Sequence, residues 1–220
     1  MDPLDLVRFI KHGSVCLEDG DVAVYVDPYR IDDDAHDADL IIITHSHGDH
    51  YSPADIAKVR KADTCFVSTP EVGRLLERDF SLDPDYFTAI SAGSPSVGFE
   101  CGAMVTALAA ENKNHPAGFG FGVLLEFGGA TWYLSGDTDV LDEDVECDVL
   151  LVCCDGVWNM PDYLTRVPAE LARMERRPGL VVPYHYGDEE NPGTGKNGAK
   201  LCAVLREAGY AAKEWKKFGF

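Results

Sequence analysis

Short apolar runs that end in polar turns recur along this chain and predict a fold that mixes strands with helices. Residues 40–43 (Leu-Ile-Ile-Ile) are typical of a strand buried on both faces, because such β-branched runs lie inside sheets. Asp19-Gly20 and Gly128-Gly129 are turn signals that join neighbouring strands into hairpins. The predicted strands are residues 5–10, 14–17, 22–26, 40–43, 64–67, 105–110, 119–127, 131–135, 149–153 and 180–184.

Four segments between the strands predict helices that lie outside the sheets. Pro53 fixes the backbone at a first helical position and so predicts a helix over residues 53–59. Since strands alternate with helices in both halves, the pattern predicts an α/β fold of two mixed sheets packed together. No stretch rich in proline, glycine and serine separates the halves, so a single domain over residues 1–220 is expected. The other predicted helices are residues 70–77, 168–176 and 196–208.

The composition favours a globular protein with an acidic surface. The 220 residues, 45% of them hydrophobic, are enough to bury a substantial core. The net charge of −19 disfavours nucleic acid as a partner, because phosphate binding depends on lysine and arginine. The seven cysteines lie mostly in apolar runs, which favours free, packed thiols over disulfides. Apolar runs fall short of the about 20 residues that span a bilayer, and no secretory pattern is visible, so a cytoplasmic protein without a membrane span is expected.

A dense cluster of histidines follows the apolar run at 40–43. His45, His47, Asp49 and His50 put three of the chain's seven histidines and one carboxylate into six positions. Imidazole nitrogen and carboxylate oxygen are good ligands for zinc and similar cations, and ligands often bind at the carboxyl ends of strands. A purely structural turn is the alternative, but it does not account for this density. The cluster therefore predicts a metal site.

Three further polar residues stand at or near the ends of predicted strands. His115 lies in a polar loop ahead of the hairpin, Asp137 follows the strand 131–135, and His185 follows the strand 180–184. Each alone is typical of a turn or a hydrogen-bonded structural group. Their shared position at strand ends predicts that they join the histidine cluster.

The order of these residues resembles the metallo-β-lactamase superfamily, whose hallmark is His-x-His-x-Asp-His followed by a His, an Asp and a final His. The resemblance is strongest to its compact branch, which contains ascorbate-6-phosphate lactonase and uncharacterised metal-dependent hydrolases. It covers nearly the whole chain and implies the four-layer αββα sandwich. The segments that carry this second likeness are His12-Gly13-Ser14, Asp27-Pro28, Gly136-Asp137-Thr138-Asp139 and Val182-Pro183-Tyr184-His185.

The resemblance also implies a ligand set for two divalent metal ions. Zn²⁺ is the simplest choice, because redox di-iron relatives usually carry Glu where this chain has His47, although Mn²⁺ or iron stays open. Asp27, Thr44 and His12 would orient the ligands. One ion would be held by His45, His47 and His115, the second by Asp49, His50 and His185, and Asp137 would bridge the two.

These expectations lead to a hydrolase in which a hydroxide shared by two metal ions cleaves a small ester, a lactone or a phosphodiester. Asp49 would both bind metal and steer the nucleophile. Two alternatives stay open: a mononuclear iron oxygenase on the same fold, and a metal-binding module without catalysis.

The substrate of such an enzyme would be a small molecule, for which an anionic group stays open, while the oligomeric state is not predicted. Tyr186 is a candidate substrate contact, and residues 187–198 form either a cover over the site or an ordinary surface loop. Lys113, Asn159, Tyr184 and Lys196 also lie in loops near the predicted ligands, but each is equally typical of an ordinary loop residue.

Overall fold

The described part of the chain, residues 2–187 and 193–215 of this computed structural model, contains two six-stranded mixed sheets. In the first sheet the strands lie side by side in chain order. The first three are antiparallel, and the third to the sixth run parallel. They are β1 (Val7–Lys11), β2 (Ser14–Asp19), β3 (Val22–Val26), β4 (Ala38–Ile43), β5 (Arg60–Ser68) and β6 (Phe87–Ala89).

The second sheet repeats this plan. Its first four strands are antiparallel, and its last three run parallel. In both sheets, therefore, the carboxyl ends of neighbouring parallel strands lie at one edge. The strands are β7 (Val97–Gly98), β8 (Met104–Leu108), β9 (Gly122–Phe127), β10 (Ala130–Leu134), β11 (Val149–Cys153) and β12 (Leu180–Tyr184).

Four α-helices of the described residues cover the outer faces of the sheets. The first two begin with a proline behind a capping hydroxyl: Ser52 accepts the backbone N–H of Asp55, and Thr69 accepts that of Val72. None of the described helices is long and apolar enough to cross a lipid bilayer. The helices are α1 (Pro53–Val59), α2 (Pro70–Phe80), α3 (Tyr163–Arg173) and α4 (Asn197–Glu207).

The alternation of side chains along β4 shows how the layers are held together. Leu40 and Ile42 point into the core between the two sheets, where they join Val123 and Leu125 of β9. Ile41 and Ile43 point to the other face, against the buried residues of α1 and α2. Because α3 and α4 pack their own apolar side chains on the second sheet, the order of layers is helix, sheet, sheet, helix. The predicted four-layer αββα fold is confirmed.

Several predicted boundaries are wrong, each for a local reason. Residues 5 and 6 lie in a short 3-10 helix, Pro3–Leu6, because the Asp2 carboxylate accepts the Leu4 N–H at 3.0 Å. The short strands β6 and β7 were not predicted, since two or three residues carry too little pattern. The helix expected to start at Pro168 begins at Tyr163 and contains this proline. Pro168 has no N–H to donate to the carbonyl of Leu164, the residue four positions earlier, and Leu164 lies at the exposed surface of the helix.

The seven cysteines are free thiols, as the apolar runs around them predict. Five are buried, and burial raises the pKa of Cys147 and Cys153 to about 12. These thiols therefore remain protonated at neutral pH and pack as small apolar groups.

Candidate metal centre

The loops at the carboxyl ends of β4, β10 and β12 meet the loop between β8 and β9 over the edge shared by the two sheets. All seven predicted ligand residues lie at this edge, with His115 in the loop between β8 and β9. The burial of both faces of these strands makes the strand ends rigid supports for the polar side chains that follow. The groups whose ligand atoms all lie within 4.8 Å of one another are His45, His47 and His115; His12, Asp49 and His185; and His45, His50 and Asp137.

The first group is a triangle of imidazole nitrogens. His47 Nδ1 lies 3.1 Å from His45 Nε2 and 3.1 Å from His115 Nε2. Ligands at about 2.1 Å from a common zinc ion are about 3.4 Å apart in a tetrahedron, so this spacing suits one cation. The turn that brings His47 back toward His45 is closed by the backbone N–H groups of His50 and Tyr51, which both donate to the His47 carbonyl.

A second group of imidazoles, His50 and His185, lies around the buried carboxylate of Asp137. Its Oδ1 lies 2.9 Å from His185 Nε2 and 3.3 Å from His50 Nε2, while its Oδ2 lies 3.4 Å from His115 Nε2. Asp137 Oδ1 nevertheless accepts no hydrogen bond from the described residues. The two oxygens of one carboxylate thus face the two groups of imidazoles.

Hydrogen bonds on the outer side of the rings set which nitrogen faces inward. Thr44 Oγ1 donates to Asp27, so it accepts from His45 Nδ1 at 3.0 Å. His50 Nδ1 donates to Asp27 Oδ2 at 2.7 Å, and His115 Nδ1 donates to Asn112 Oδ1. In each neutral ring the proton on Nδ1 leaves a lone pair on Nε2. The Nε2 atoms of His45 and His115 face His47 Nδ1, and that of His50 faces His185 Nε2. Such a set of acceptors fits a cation.

Electrostatics also call for positive charge at this edge. Burial would raise the pKa of Asp137, but His185 and His50 outweigh this and hold it well below 3.8. Burial would lower the pKa of His50 and His185, but Asp137 outweighs this and raises both above 6.5. For His45, by contrast, burial and the nearby His50 lower the pKa well below 6.5, which keeps the ring neutral. Buried carboxylates are thus stabilised here by protonated histidines or by cations.

Asp27 and Thr44 hold the end of β4 in place. Asp27 Oδ1 accepts the Thr44 N–H at 2.7 Å, and its Oδ2 accepts the Thr44 hydroxyl at 2.8 Å. Asp27 has a φ of 48°, a left-handed conformation that Asp and Asn tolerate better than other side chains. One carboxylate therefore fixes both the backbone before His45 and the ring of His50.

His12 approaches the second group from the turn between β1 and β2. Its Nε2 lies 3.1 Å from Asp49 Oδ2, and its ring centroid lies 3.6 Å from that of His185. The next residue must be small, because a Cβ at Gly13 would lie 3.0 Å from the His185 ring. A Cβ at Gly120 would likewise lie 2.9 Å from His45 Cβ, so this position, just before β9, must also be small.

Asn112 and Asn159 connect His115 with Asp137 through a chain of amide groups. Asn112 accepts from His115 Nδ1 at 2.9 Å and donates to Asn159 Oδ1 at 2.6 Å. Asn159 Nδ2 donates to Asp137 Oδ2 and to Asp155 Oδ2, both at 3.0 Å. The sequence predicts Asn159 only as a loop residue near the ligands, and it predicts no role for Asn112 or Asp155.

Asp155 stands beside the site at the end of β11. Its Oδ2 lies 3.4 Å from His185 Nδ1, and its side chain is fully buried. The signal that found Asp137 and His185, a polar residue just after a buried strand, applies equally to Asp155 and could have identified it.

A cavity of about 250 Å³ opens onto the candidate centre. A second hollow of about 300 Å³, beside Arg8 and Tyr25, contains none of the seven ligand candidates. The smaller cavity is therefore the candidate substrate pocket. Its lining consists of His47, Asp49, Asn114, His115, Asp137, Trp158 and His185.

The loop residues considered as substrate contacts are absent from the described lining of this cavity. Tyr186 is buried, and its hydroxyl lies 3.4 Å from Glu214 Oε1. Tyr184 is also buried, and its hydroxyl accepts the Gly136 N–H. Lys113 and Lys196 are exposed. Of the segment 187–198, residues 188–192 lie outside the described part of the chain.

Comparisons with known proteins agree with this fold. A family model described as a beta-lactamase superfamily domain matches residues 21–180. A UPF0173 metal-dependent hydrolase of Thermus thermophilus is 28% identical over 92% of either chain. A crystal structure described as a metal-dependent hydrolase from Parabacteroides distasonis is 26% identical, with a TM-score of 0.77 over 94% of this chain and 91% of that one. A metallo hydrolase from Ignicoccus hospitalis, 19% identical, shares the fold with a TM-score of 0.74 over 95% and 94% of the two chains.

The family match spans well over half of the chain, and the relatives align along nearly all of it. The structure shows the same two packed mixed sheets, with the histidine-rich turn after β4 close to Asp137 at their edge. This chain belongs to the metallo-β-lactamase superfamily.

Proposed function

We propose that this protein is a hydrolase that uses two divalent cations, most simply Zn²⁺, to cleave a small ester, lactone or phosphodiester. The observation that carries the proposal is the Asp137 carboxylate, whose two oxygens face two groups of inward-pointing imidazoles. Membership of the superfamily and the names of its relatives, which are metal-dependent hydrolases, support the same reaction class.

The chain supplies a complete set of donors for two ions. When bound, the cations would supply Lewis acidity and lower the pKa of water into the neutral range. The outer partners Asp27, Thr44 and Asn112 would keep each ring in the tautomer that coordination needs. The proposed ligands are His45, His47 and His115 for one cation, Asp49, His50 and His185 for the other, and Asp137 for both.

Asp49 has the position of a residue that orients the nucleophile. Its side chain lines the cavity and is 24% exposed, whereas Asp137 is 6% exposed. The Oδ2 atom lies 3.1 Å from His12 Nε2 and 3.6 Å from His50 Nε2. His12 therefore limits the rotation of this carboxylate, which can accept a hydrogen bond from a water in the cavity.

Metal analysis together with activity assays tests the proposal. Full-length protein purified without oxygen should contain two transition-metal ions per chain. It should hydrolyse esters, lactones or phosphodiesters after loading with Zn²⁺ or Mn²⁺. Oxygen uptake by an iron-loaded protein with one ion per chain would instead support an oxygenase. Full loading of both sites without turnover of any of these substrates would support a module that only binds metal.

Replacing the shared carboxylate should separate the two sites. Asp137→Ala should lower the metal content toward one ion per chain and abolish hydrolysis, because both groups lose a common ligand. Elemental analysis and the rate of ester hydrolysis measure the two effects. Asp144→Ala removes an exposed carboxylate seven residues further along and should change neither. Two ions per chain in Asp137→Ala would refute the bridging role.

Neutralising Asp49 should affect the rate more than the fold. Asp49→Asn keeps the shape of the side chain but loses the anionic oxygen, so activity should fall about 10- to 100-fold. Steady-state kinetics measure the loss, and circular dichroism checks that the secondary structure is retained. Unchanged kinetics would contradict the role given to Asp49.

The support behind the histidines can be tested through metal affinity alone. Asp27→Asn preserves a side chain that tolerates positive φ, but the amide offers only one acceptor in place of two. Metal affinity, measured by competition with a chelator, should fall about 10- to 100-fold. Thr44→Ser retains the hydroxyl between Asp27 and His45 and should keep the affinity within a few-fold. Equal affinities in wild type and Asp27→Asn would show that this carboxylate does not support coordination.

A further inference from the structure

One wall of the cavity is an exposed indole. Trp158 lines the cavity beside His115 and Asp137, and 53% of its surface is exposed. Its neighbour Val157 is 50% exposed, and the two are the most exposed large apolar residues of the described chain. Leaving an indole in water is unfavourable, since tryptophan usually buries most of its surface. Exposed apolar surface beside convergent polar groups is typical of a ligand site.

The backbone that carries Trp158 is held in one conformation. Asp155 Oδ1 accepts the backbone N–H groups of Val157, Trp158 and Asn159 at 2.8, 2.7 and 3.2 Å. Asn114 Nδ2 donates to the Trp158 carbonyl at 3.2 Å. These bonds fix the turn from which the indole extends, so a ligand that packs on the ring does not have to order this backbone first.

The side chains around the cavity disfavour a phosphate group on the part of the substrate that does not react. Within the described residues, no lysine or arginine lines the cavity, whereas Asp49 and Asp137 do. Lys113 is exposed and is absent from this lining. Phosphate groups are usually bound by arginine, lysine or backbone N–H groups. A phosphate on the non-reacting part of a substrate would instead meet an indole and carboxylates.

We propose that Trp158 is a platform for a planar apolar group of the substrate, which is an uncharged carboxylic ester or lactone with an aryl substituent. The reacting carbonyl faces the histidines and Asp49, while the apolar substituent packs on the indole. The cavity volume of about 250 Å³ limits the substrate to a small molecule. The cleavage step rests on the proposed hydrolase function, but the contact with Trp158 does not.

Ligand binding tests the platform without any turnover. Full-length protein as purified is titrated with 4-phenylbutan-2-one, a ketone that cannot be hydrolysed, and with butan-2-one, which lacks the ring. The aryl ketone should change the tryptophan fluorescence, and calorimetry should show about tenfold weaker binding to Trp158→Ala. Trp158→Phe should keep the affinity within a few-fold and lose the fluorescence change, since neither Trp132, which is buried, nor Trp215, which packs on Phe9, lines the cavity.

Val157→Ala is the matched control, because Val157 is equally exposed on the same turn but does not line the cavity. This variant should bind the aryl ketone as wild type does. Equal affinity of wild type and Trp158→Ala, or equal binding of the two ketones, would overturn the platform.

Substrate selectivity tests the same contact in the reaction. The ratio of kcat/KM for ethyl phenylacetate to that for ethyl acetate should fall about tenfold in Trp158→Ala and stay unchanged in Val157→Ala. A preference of the wild type for ethyl 3-(phosphonooxy)propanoate over ethyl phenylacetate would overturn the proposed substrate class. If no ester, lactone or phosphodiester is cleaved while the ketone still binds through Trp158, the proposed hydrolase function fails and the platform stands. If esters are cleaved and the ratio is unchanged, the platform fails alone.

Discussion

The burial of carboxylates among imidazoles is the constraint on which the candidate centre depends. Asp27 and Asp137 are almost fully buried, and within the described chain their only ionisable partners are histidines. A buried carboxylate without compensating charge would cost several kcal/mol, so the rings must carry protons or share a cation. The hydrogen bonds from Nδ1 of His45, His50 and His115 to their outer partners favour the second arrangement, because they leave the inward-facing Nε2 atoms as acceptors. The polar edge and the metal proposed for it are thus parts of one electrostatic balance.

The two packed sheets hold these acceptors close together against their mutual repulsion. Each strand that leads into the centre is buried on both faces, as β4 is between the inner core and α1 with α2. A strand held in this way cannot shift along its neighbour without exposing every side chain of its core face. Rigid strand ends followed by short turns, together with a glycine wherever a ring needs space, bring side chains from distant parts of the sequence within 4 Å.

Much of this arrangement could be predicted from the sequence, and what could not depends on distances across the fold. The run at 40–43 indicates a buried strand, and the histidines after it indicate where that strand ends. Asn112, in contrast, bonds both to His115 three residues away and to Asn159 forty-seven residues away. No local pattern contains the second of these contacts. The start of α3 was missed because proline is more typical of a first helical turn than of a helix interior.

Asp155 links the chemistry of the centre to the wall of the cavity. Its Oδ1 accepts the N–H groups that shape the turn carrying Trp158, while its Oδ2 accepts from Asn159, which also donates to Asp137. The buried carboxylate of Asp155 therefore fixes the distance between Asp137 and the indole of Trp158. If the substrate spans these two points, as its proposed polar and apolar ends require, the separation between its carbonyl and its apolar group is set by this single side chain. The turn carrying Trp158 cannot move without disturbing the hydrogen bonds that support Asp137. Selectivity for substrate length would then follow from these same hydrogen bonds.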